Sequence, residues 1–176
     1  MILFRPSQST QALAAVTLSS LMFGLEISSV PVILPTLERT LGADFIQLQW
    51  VMNAYTVAVA SVLMAAGAVA DRFGRKRLFL IGVAVFGLTS FACGVTDNIN
   101  VLIGARFLQG LAGGVMLICQ VAILSHQFRE PQGRSVAYAW WGVIFGFGLG
   151  FGPIIGSGIL AVAGWEWAFC IHVALA

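Results

Sequence analysis

The chain has 176 residues, of which 59% are hydrophobic and only 9% are charged, and its net charge is +2. A soluble domain carries about 25% charged residues, so this composition excludes a soluble globular protein. We therefore predict an integral membrane protein surrounded by the lipid bilayer, and we predict no nucleic-acid partner.

The apolar residues fall into segments long enough for membrane helices, which need roughly 20 apolar residues each. We predict an all-α, polytopic protein with a cytoplasmic N-terminus over residues 1–12 and a transmembrane helix bundle over residues 13–176. The predicted spans cover residues 13–34, 48–70, 78–95, 101–125 and 136–163, with a partial sixth over residues 165–176. At about 1.5 Å of rise per residue the sixth segment reaches only roughly 18 Å, so we expect a truncated or partial chain. A five-span protein with a re-entrant tail is the alternative.

The first span contains one acidic residue, Glu26, about two-thirds of the way along it. An ionisable group at that depth costs about 2.5–3.5 kcal/mol on insertion scales, so it must face protein or a water-filled cavity. Such a carboxyl group can take up and release a proton as the cavity opens to either side. The alternative is a neutral Glu26 that forms a hydrogen bond to a neighbouring helix.

The turn between the second and third spans is strongly basic. It contains Gly67, Asp71, Arg72, Gly74, Arg75 and Lys76. We expect Gly67 to allow a close helix approach. Asp71 ends a helix where the carbonyl dipoles repel it, so it needs a cationic partner, with Arg72 and Arg75 as candidates. A plain loop that attracts anionic lipid is the alternative, but it does not account for the aspartate and the glycines.

The distribution of basic residues predicts the orientation in the membrane. Arg5 and the basic residues of loops 71–77 and 126–134 fall on one side, whereas the opposite loops carry only Arg39 as a positive charge. Because positive loops stay in the cytoplasm, we predict a multi-pass protein of the cytoplasmic (inner) membrane with its N-terminus inside. The predicted outer loops are residues 35–47, 97–100 and 163–166.

The fourth span carries Arg106, with Gln109 three residues later on the same helix face. A guanidinium group at this depth needs a polar interior, and Gln109 extends the polar patch inward. An arginine that snorkels to the outer interface is the alternative.

The fifth span is rich in glycine and contains two stripes with four-residue spacing. One stripe consists of Gly142, Gly146 and Gly150, and the other of Gly148, Gly152 and Gly156. Small residues at this spacing let helices touch backbone to backbone, and Pro153 removes one backbone donor. Such a helix can pack on both flanks and slide, although static packing would need the same residues.

These motifs resemble those of the major facilitator superfamily over nearly the whole chain. GAVADRFGRKR at residues 67–77 matches that family's loop between helices two and three, and LIGARFLQGLAGG at 102–114 is similar to its fourth-helix motif. GLGFGPIIGS at 148–157 resembles the antiporter motif of the fifth helix. LEISSVPVILP at 25–35 is similar to the first-helix motif of the fourteen-helix drug:proton antiporters.

Six positions depart from the patterns of that branch. They are Glu26 for Asp, Ser28 for Thr, Pro31 for Asn, Ser157 for Gly, Glu166 for Arg and His172 for Asn. The substitutions at Glu26 and Ser28 are chemically mild. The departures together bear on the substrate more than on the mechanism.

The resemblance implies the N-terminal half of a transporter, built from two inverted three-helix repeats. It also implies a C-terminal half or partner chain that this sequence lacks, with alternating access by rocking of the halves around a midplane site. The antiporter motif of Gly148, Gly152, Pro153 and Gly156 is implied to seal the interface between the halves. We therefore expect this stripe to be partly exposed in the chain alone.

Three classes of function follow. The first is proton-coupled efflux of small, mostly apolar compounds, with protons and a small-molecule substrate as partners. The second is a non-transporting structural or regulatory subunit, or a degraded transporter remnant. The third, a membrane enzyme, is disfavoured because His126 and His172 are far apart in sequence and no paired carboxylates occur. Cys93, Cys119 and Cys170 stand singly, so we predict no metal site and no cofactor.

Overall fold

The structure is a computed structural model that describes residues 8–176, so Arg5 lies outside the described residues. Every regular element in the described range is a helix, which confirms the all-α fold class. The helices are α1 (Gln8–Leu41), α2 (Phe45–Phe73), α3 (Arg75–Val95), α4 (Ile99–Gln127), α5 (Pro131–Val162) and α6 (Glu166–Leu175). The first five are long and apolar enough to cross a membrane, and α6 is a shorter apolar helix.

The helices extend beyond the apolar segments that predict the spans. Pro31 and Pro35 both lie inside α1, which continues to Leu41, so the predicted outer loop 35–47 shrinks to residues 42–44. The difference arises because hydropathy marks only the apolar core of a helix, whereas backbone hydrogen bonding continues into its polar ends. An interior proline removes one donor and does not end the helix here.

The connections between helices are short, and their residues suit them. Asp44 accepts a hydrogen bond from the backbone N–H of Gln47 at 2.8 Å, and the Gln47 side chain accepts one from the Asp44 N–H at 3.0 Å. This reciprocal capping begins α2. A single residue, Gly74, joins α2 to α3 at a φ of 97°, a backbone conformation that side chains with a Cβ rarely adopt.

The helix contacts relate the first three helices to the last three. The main contacts pair α1 with α5, α2 with α4, α3 with α4 and α3 with α6, and α1 also contacts α6. If α1–α3 are exchanged with α4–α6, the α1–α5 pair becomes α4–α2 and the α3–α4 pair becomes α6–α1. This is the pairing expected of two three-helix repeats, of which the second ends in the shorter helix α6.

The glycine stripe of α5 is covered by α1 of the same chain. Gly148, Gly152 and Gly156 are all buried. A Cβ added to Gly148 would lie 2.8 Å from the Leu21 carbonyl oxygen, and one added to Gly152 would overlap the side chain of Ser28. The expectation of a partly exposed stripe is therefore wrong, because α1 itself supplies the small residues that let α5 approach.

The second glycine stripe of α5 faces away from the described helices. A Cβ added to Gly142, Gly146 or Gly150 would meet no atom of the described residues within 4 Å. Pro153 is also exposed. The two stripes are thus separated by environment: one is packed against α1 and the other is open.

Candidate functional site: a buried polar centre

Glu26 lies near the middle of α1, and its side chain is completely buried. Its Oε1 forms an ion pair with Nη1 of Arg106 on α4, which is itself only 1% exposed. The guanidinium group therefore faces the bundle interior and does not snorkel to the outer interface. The two intramembrane charges, which the sequence predicts separately, are brought together in one contact.

The guanidinium N–H groups of Arg106 bind partners on three helices. Its Nη1 also donates to Oε1 of Gln109 at 2.6 Å, and its Nε donates to the Val51 carbonyl oxygen of α2 at 3.1 Å. Gln109 in turn donates from Nε2 to Oγ of Ser90 on α3 at 2.7 Å. Arg106 thus joins α1, α2 and α4 directly, and Gln109 extends the network to α3.

Aromatic rings enclose the charged groups. The Arg106 guanidinium carbon lies 4.3 Å from the ring centroid of Tyr55 and 5.8 Å from that of Phe169. A cation over the face of an aromatic ring is attracted by the ring quadrupole, more strongly where water is excluded. The rings therefore stabilise the arginine charge while they shield the ion pair from solvent.

His172 on α6 completes this group, which we name the polar centre: Glu26, Ser90, Arg106, Gln109 and His172. The His172 side chain is fully buried, and its Nδ1 lies 3.3 Å from Oε2 of Glu26. Sequence reasoning noted His172 as a departure from a family pattern but did not place it in a site. Only the docking of α6 reveals the contact, because nothing in the local sequence relates residue 172 to residue 26.

The buried charges of the polar centre depend on each other. Removing one partner of a buried ion pair costs about 3–5 kcal/mol, because it leaves an uncompensated charge in a low-dielectric interior. A proton or a cationic group that reaches Glu26 competes directly with Arg106 for the carboxylate. The arrangement can therefore link the binding of a cation to a change in contacts among α1, α2 and α4.

The basic turn lies apart from the polar centre. Asp71 accepts hydrogen bonds from Arg75 at 2.9 Å and 3.1 Å, so Arg75, and not Arg72, is its charged partner. Arg75 also donates to the Ala122 carbonyl oxygen of α4 at 3.4 Å. A Cβ added to Gly67 would meet nothing within 4 Å, so the predicted close helix approach at Gly67 is wrong in these helices.

A cleft opens at the basic end of the bundle. It is lined by the start of α1, the end of α2, the start of α3 and the end of α4. Arg72, Lys76 and His126 are among its lining residues. The described residues contain no group of three His, Cys, Asp or Glu side chains placed to hold a metal ion.

Comparison with known proteins points to one family. The sequence profile of the Major Facilitator Superfamily matches residues 16–176. The chain is 30% identical over 167 residues to the methylenomycin A resistance protein of Bacillus subtilis, covering 95% of this chain and 36% of that protein. It is 35% identical over 162 residues to the tetracenomycin C resistance and export protein of Streptomyces glaucescens, covering 92% and 30%.

A third relative, the multidrug export protein EmrB of Haemophilus influenzae, is 34% identical over 159 residues, covering 90% of this chain and 31% of that protein. The chain thus spans about a third of the length of these curated relatives.

Proposed function

The chain belongs to the major facilitator superfamily, and from that premise we propose that it is the N-terminal part of an exporter of small, mostly apolar compounds. Its relatives include proteins named for resistance to methylenomycin A, for tetracenomycin C export and for multidrug export. Because the chain spans about a third of their length, we assign export to these helices working with a second helical half, not to the chain alone.

The buried Glu26–Arg106 pair is the observation that carries the proposal. Ionisable side chains inside a membrane are costly and are therefore functional candidates by default, and Glu26 is the acidic side chain that the polar centre offers to a cation. We propose that Glu26 binds a proton in one access state and releases it in the other, which makes efflux proton-coupled. Each time the proton leaves, Arg106 binds the Glu26 carboxylate again. Gln109 holds the Arg106 guanidinium group in place in the meantime.

The proposal also includes the orientation of the protein in the membrane. We place the protein in the cytoplasmic membrane with its N-terminus and the basic turn on the inner side, as the positive-inside rule requires. The Asp71–Arg75 pair at the mouth of the cleft then stabilises one conformation of the cytoplasmic side. Its side chains are partly exposed, so the pair is weak enough to break during each cycle.

One observation favours a second candidate, a non-transporting membrane subunit. The stripe of Gly148, Gly152 and Gly156 is covered within the chain, so the bundle does not need a second half to bury it. We propose no enzymatic role in either case, because the family of the chain is one of transporters and these relatives are named for resistance and export.

The test is dye efflux from a bacterial host that lacks its own multidrug exporters. The gene for the chain is expressed alone and together with the C-terminal half of a related exporter, and ethidium accumulation is measured with and without a protonophore. We expect reduced accumulation when the second half is present, reversal by the protonophore, and loss of efflux in Glu26→Gln.

Glu38→Gln is the matched control, since Glu38 lies on the same helix but is exposed. It should export like the wild type. A chain that inserts stably yet never lowers accumulation, with or without the second half, would contradict the exporter and favour the subunit.

A further inference from the structure

His172 and Glu26 form a contact between α6 and α1 that the proposed function does not use. His172 Nδ1 lies 3.3 Å from Glu26 Oε2, and both side chains are fully buried. The edge of the imidazole packs against the ring of Phe86 on α3, with ring centroids 5.9 Å apart. The histidine is therefore held in a buried site beside the carboxylate.

Three polar atoms at this contact are buried without a hydrogen-bond partner among residues 8–176. They are Oε2 of Glu26 and both ring nitrogens of His172. Buried polar groups in folded proteins are nearly always hydrogen-bonded, so three unsatisfied atoms in one contact require an explanation. A small rotation of the ring would aim Nδ1–H at Oε2 and satisfy two of them. The lone pair of Nε2 would remain free to accept a proton.

The geometry of the contact leaves a place for one proton. Arg106 occupies Oε1 of Glu26, which leaves Oε2 for a second positive group. With His172 neutral, the Glu26 and Arg106 charges cancel. A proton on His172 places an imidazolium against the free carboxylate oxygen, so that one anion lies between two cations.

Within the described helices, the remaining charged groups lie away from this contact. From α3 the nearby titratable group is the thiol of Cys93, which lies 3.9 Å from Gln109, and from α2 it is Tyr55 beneath Arg106. In α5 the charged side chain is Arg134, in the first turn. The charged residues of α3 are also confined to its first turn, at Arg75, Lys76 and Arg77.

We propose that Glu26 and His172 bind one proton as a pair, so that the proton-binding site is shared between α1 and α6. This deepens the proposed function and rests on it for the direction of proton movement. On uptake, neutral imidazole and carboxylate gain one proton, carried by either residue, and on release that proton leaves and the pair returns to its starting state. The titration belongs to the pair, and proton uptake tightens the contact between α6 and α1.

The first test compares the pH profile of efflux in the system described above. His172→Gln keeps a hydrogen-bonding side chain but cannot titrate, so proton-driven efflux should fall by at least about tenfold and its dependence on pH between about 5 and 8 should flatten. Glu166→Gln is the matched control, because Glu166 is a titratable side chain in the first turn of the same helix and lies outside the polar centre. It should keep the wild-type profile.

The second test reads the contact directly in the purified chain in lipid nanodiscs. The chain contains two histidines, so in the His126→Gln background all ¹⁵N-histidine signals come from His172. We expect a hydrogen-bonded Nδ1–H resonance that moves in Glu26→Gln, because a neutral amide oxygen accepts more weakly than a carboxylate, and that also moves in Glu26→Asp. The aspartate variant keeps the charge opposite Arg106 if the glutamine variant fails to fold.

The two tests separate the inference from the proposed function. If the wild-type protein shows no efflux, the proposed exporter function is overturned. The ¹⁵N signal of His172 still tests whether Glu26 and His172 form a pair. Normal efflux with an unchanged pH profile in His172→Gln overturns the pair and leaves Glu26 as the sole proton site. An Nδ1 signal that is the same in the wild type, in Glu26→Asp and in Glu26→Gln has the same consequence.

Discussion

Arg106 organises the polar centre because each of its contacts comes from a different direction. It meets a carboxylate of α1, a backbone carbonyl of α2 and an amide of its own helix, and its flat face rests on Tyr55. A guanidinium group offers planar, fixed donors and an aromatic-stacking surface at once, whereas an ammonium group is a compact point charge. The site is therefore specific for arginine and not only for a positive charge.

We predict that Arg106→Lys loses most of the efflux activity, at least about tenfold, because lysine can keep the Glu26 charge pair but cannot also reach the Val51 carbonyl and Gln109. Arg39→Lys, at the exposed end of α1, should behave as the wild type. Dye efflux and the amount of protein in the membrane are measured together. Full activity in Arg106→Lys would show that charge alone suffices at this position.

Sequence reasoning reached part of the polar centre. Glu26 and Arg106 were predicted from charge at membrane depth, and Gln109 from its three-residue spacing to Arg106. Those signals are local, either in hydropathy or along one helix. His172 and Tyr55 could not be found in this way, because their places depend on how α6 docks against α3 and α1 and on how α2 docks against α4.

The contacts between helices depend on small residues and on a few buried hydrogen bonds between side chains. The α1–α5 contact is close where Gly24 meets Gly148. Toward the basic end, Gln120 of α4 donates to Ser19 of α1 at 2.9 Å and accepts from Trp141 of α5 at 2.8 Å. The sequence predicts the helices and the glycine stripes, but both stripes have the same spacing, so spacing alone could not show which one is packed.

We predict that Gly152→Leu forces α1 and α5 apart and lowers the stability of the bundle by about 1–3 kcal/mol. Gly150→Leu is the matched control, since a side chain there meets open space. Thermal unfolding of both purified variants in lipid is the measurement. Equal unfolding temperatures in the two variants would contradict the close packing of the stripe. Loss of efflux in Gly150→Leu with normal stability would show that the open stripe contacts the second half.

We also predict that Gln120→Ala destabilises the bundle, by about 1 kcal/mol, because it leaves the Trp141 indole N–H without its acceptor and breaks the link to Ser19. Gln127→Ala, at the exposed end of the same helix, should leave the unfolding temperature unchanged. Thermal unfolding checks both. If the two alanine variants unfold at the same temperature, the buried network contributes nothing to helix packing.

The whole bundle places its polar groups at two levels. The polar centre lies where α1, α2, α3, α4 and α6 meet, whereas the basic residues of the turn between α2 and α3 line the cleft at one end. From Tyr55 to Asp71 along α2 the rise is about 24 Å, which separates the two levels by most of the thickness of a bilayer core. A proton that reaches Glu26 from the cleft must therefore travel through the bundle, so the side on which the cleft opens decides the direction of exchange.

The last prediction tests on which side of the membrane the cleft opens. Because the turn carries Arg72, Arg75 and Lys76 and the positive-inside rule keeps such loops in the cytoplasm, we expect a cysteine placed at the exposed Lys76 to resist impermeant thiol reagents in intact cells. It should react after lysis. A cysteine at the exposed Glu38, near the opposite end of the bundle, should react in intact cells. Both variants need a background in which the three native cysteines are replaced by serine or alanine. Labelling of the Lys76 position from outside would reverse the orientation and open the cleft to the exterior. In that case the proposed proton path from Glu26 would lead to the wrong side of the membrane for efflux.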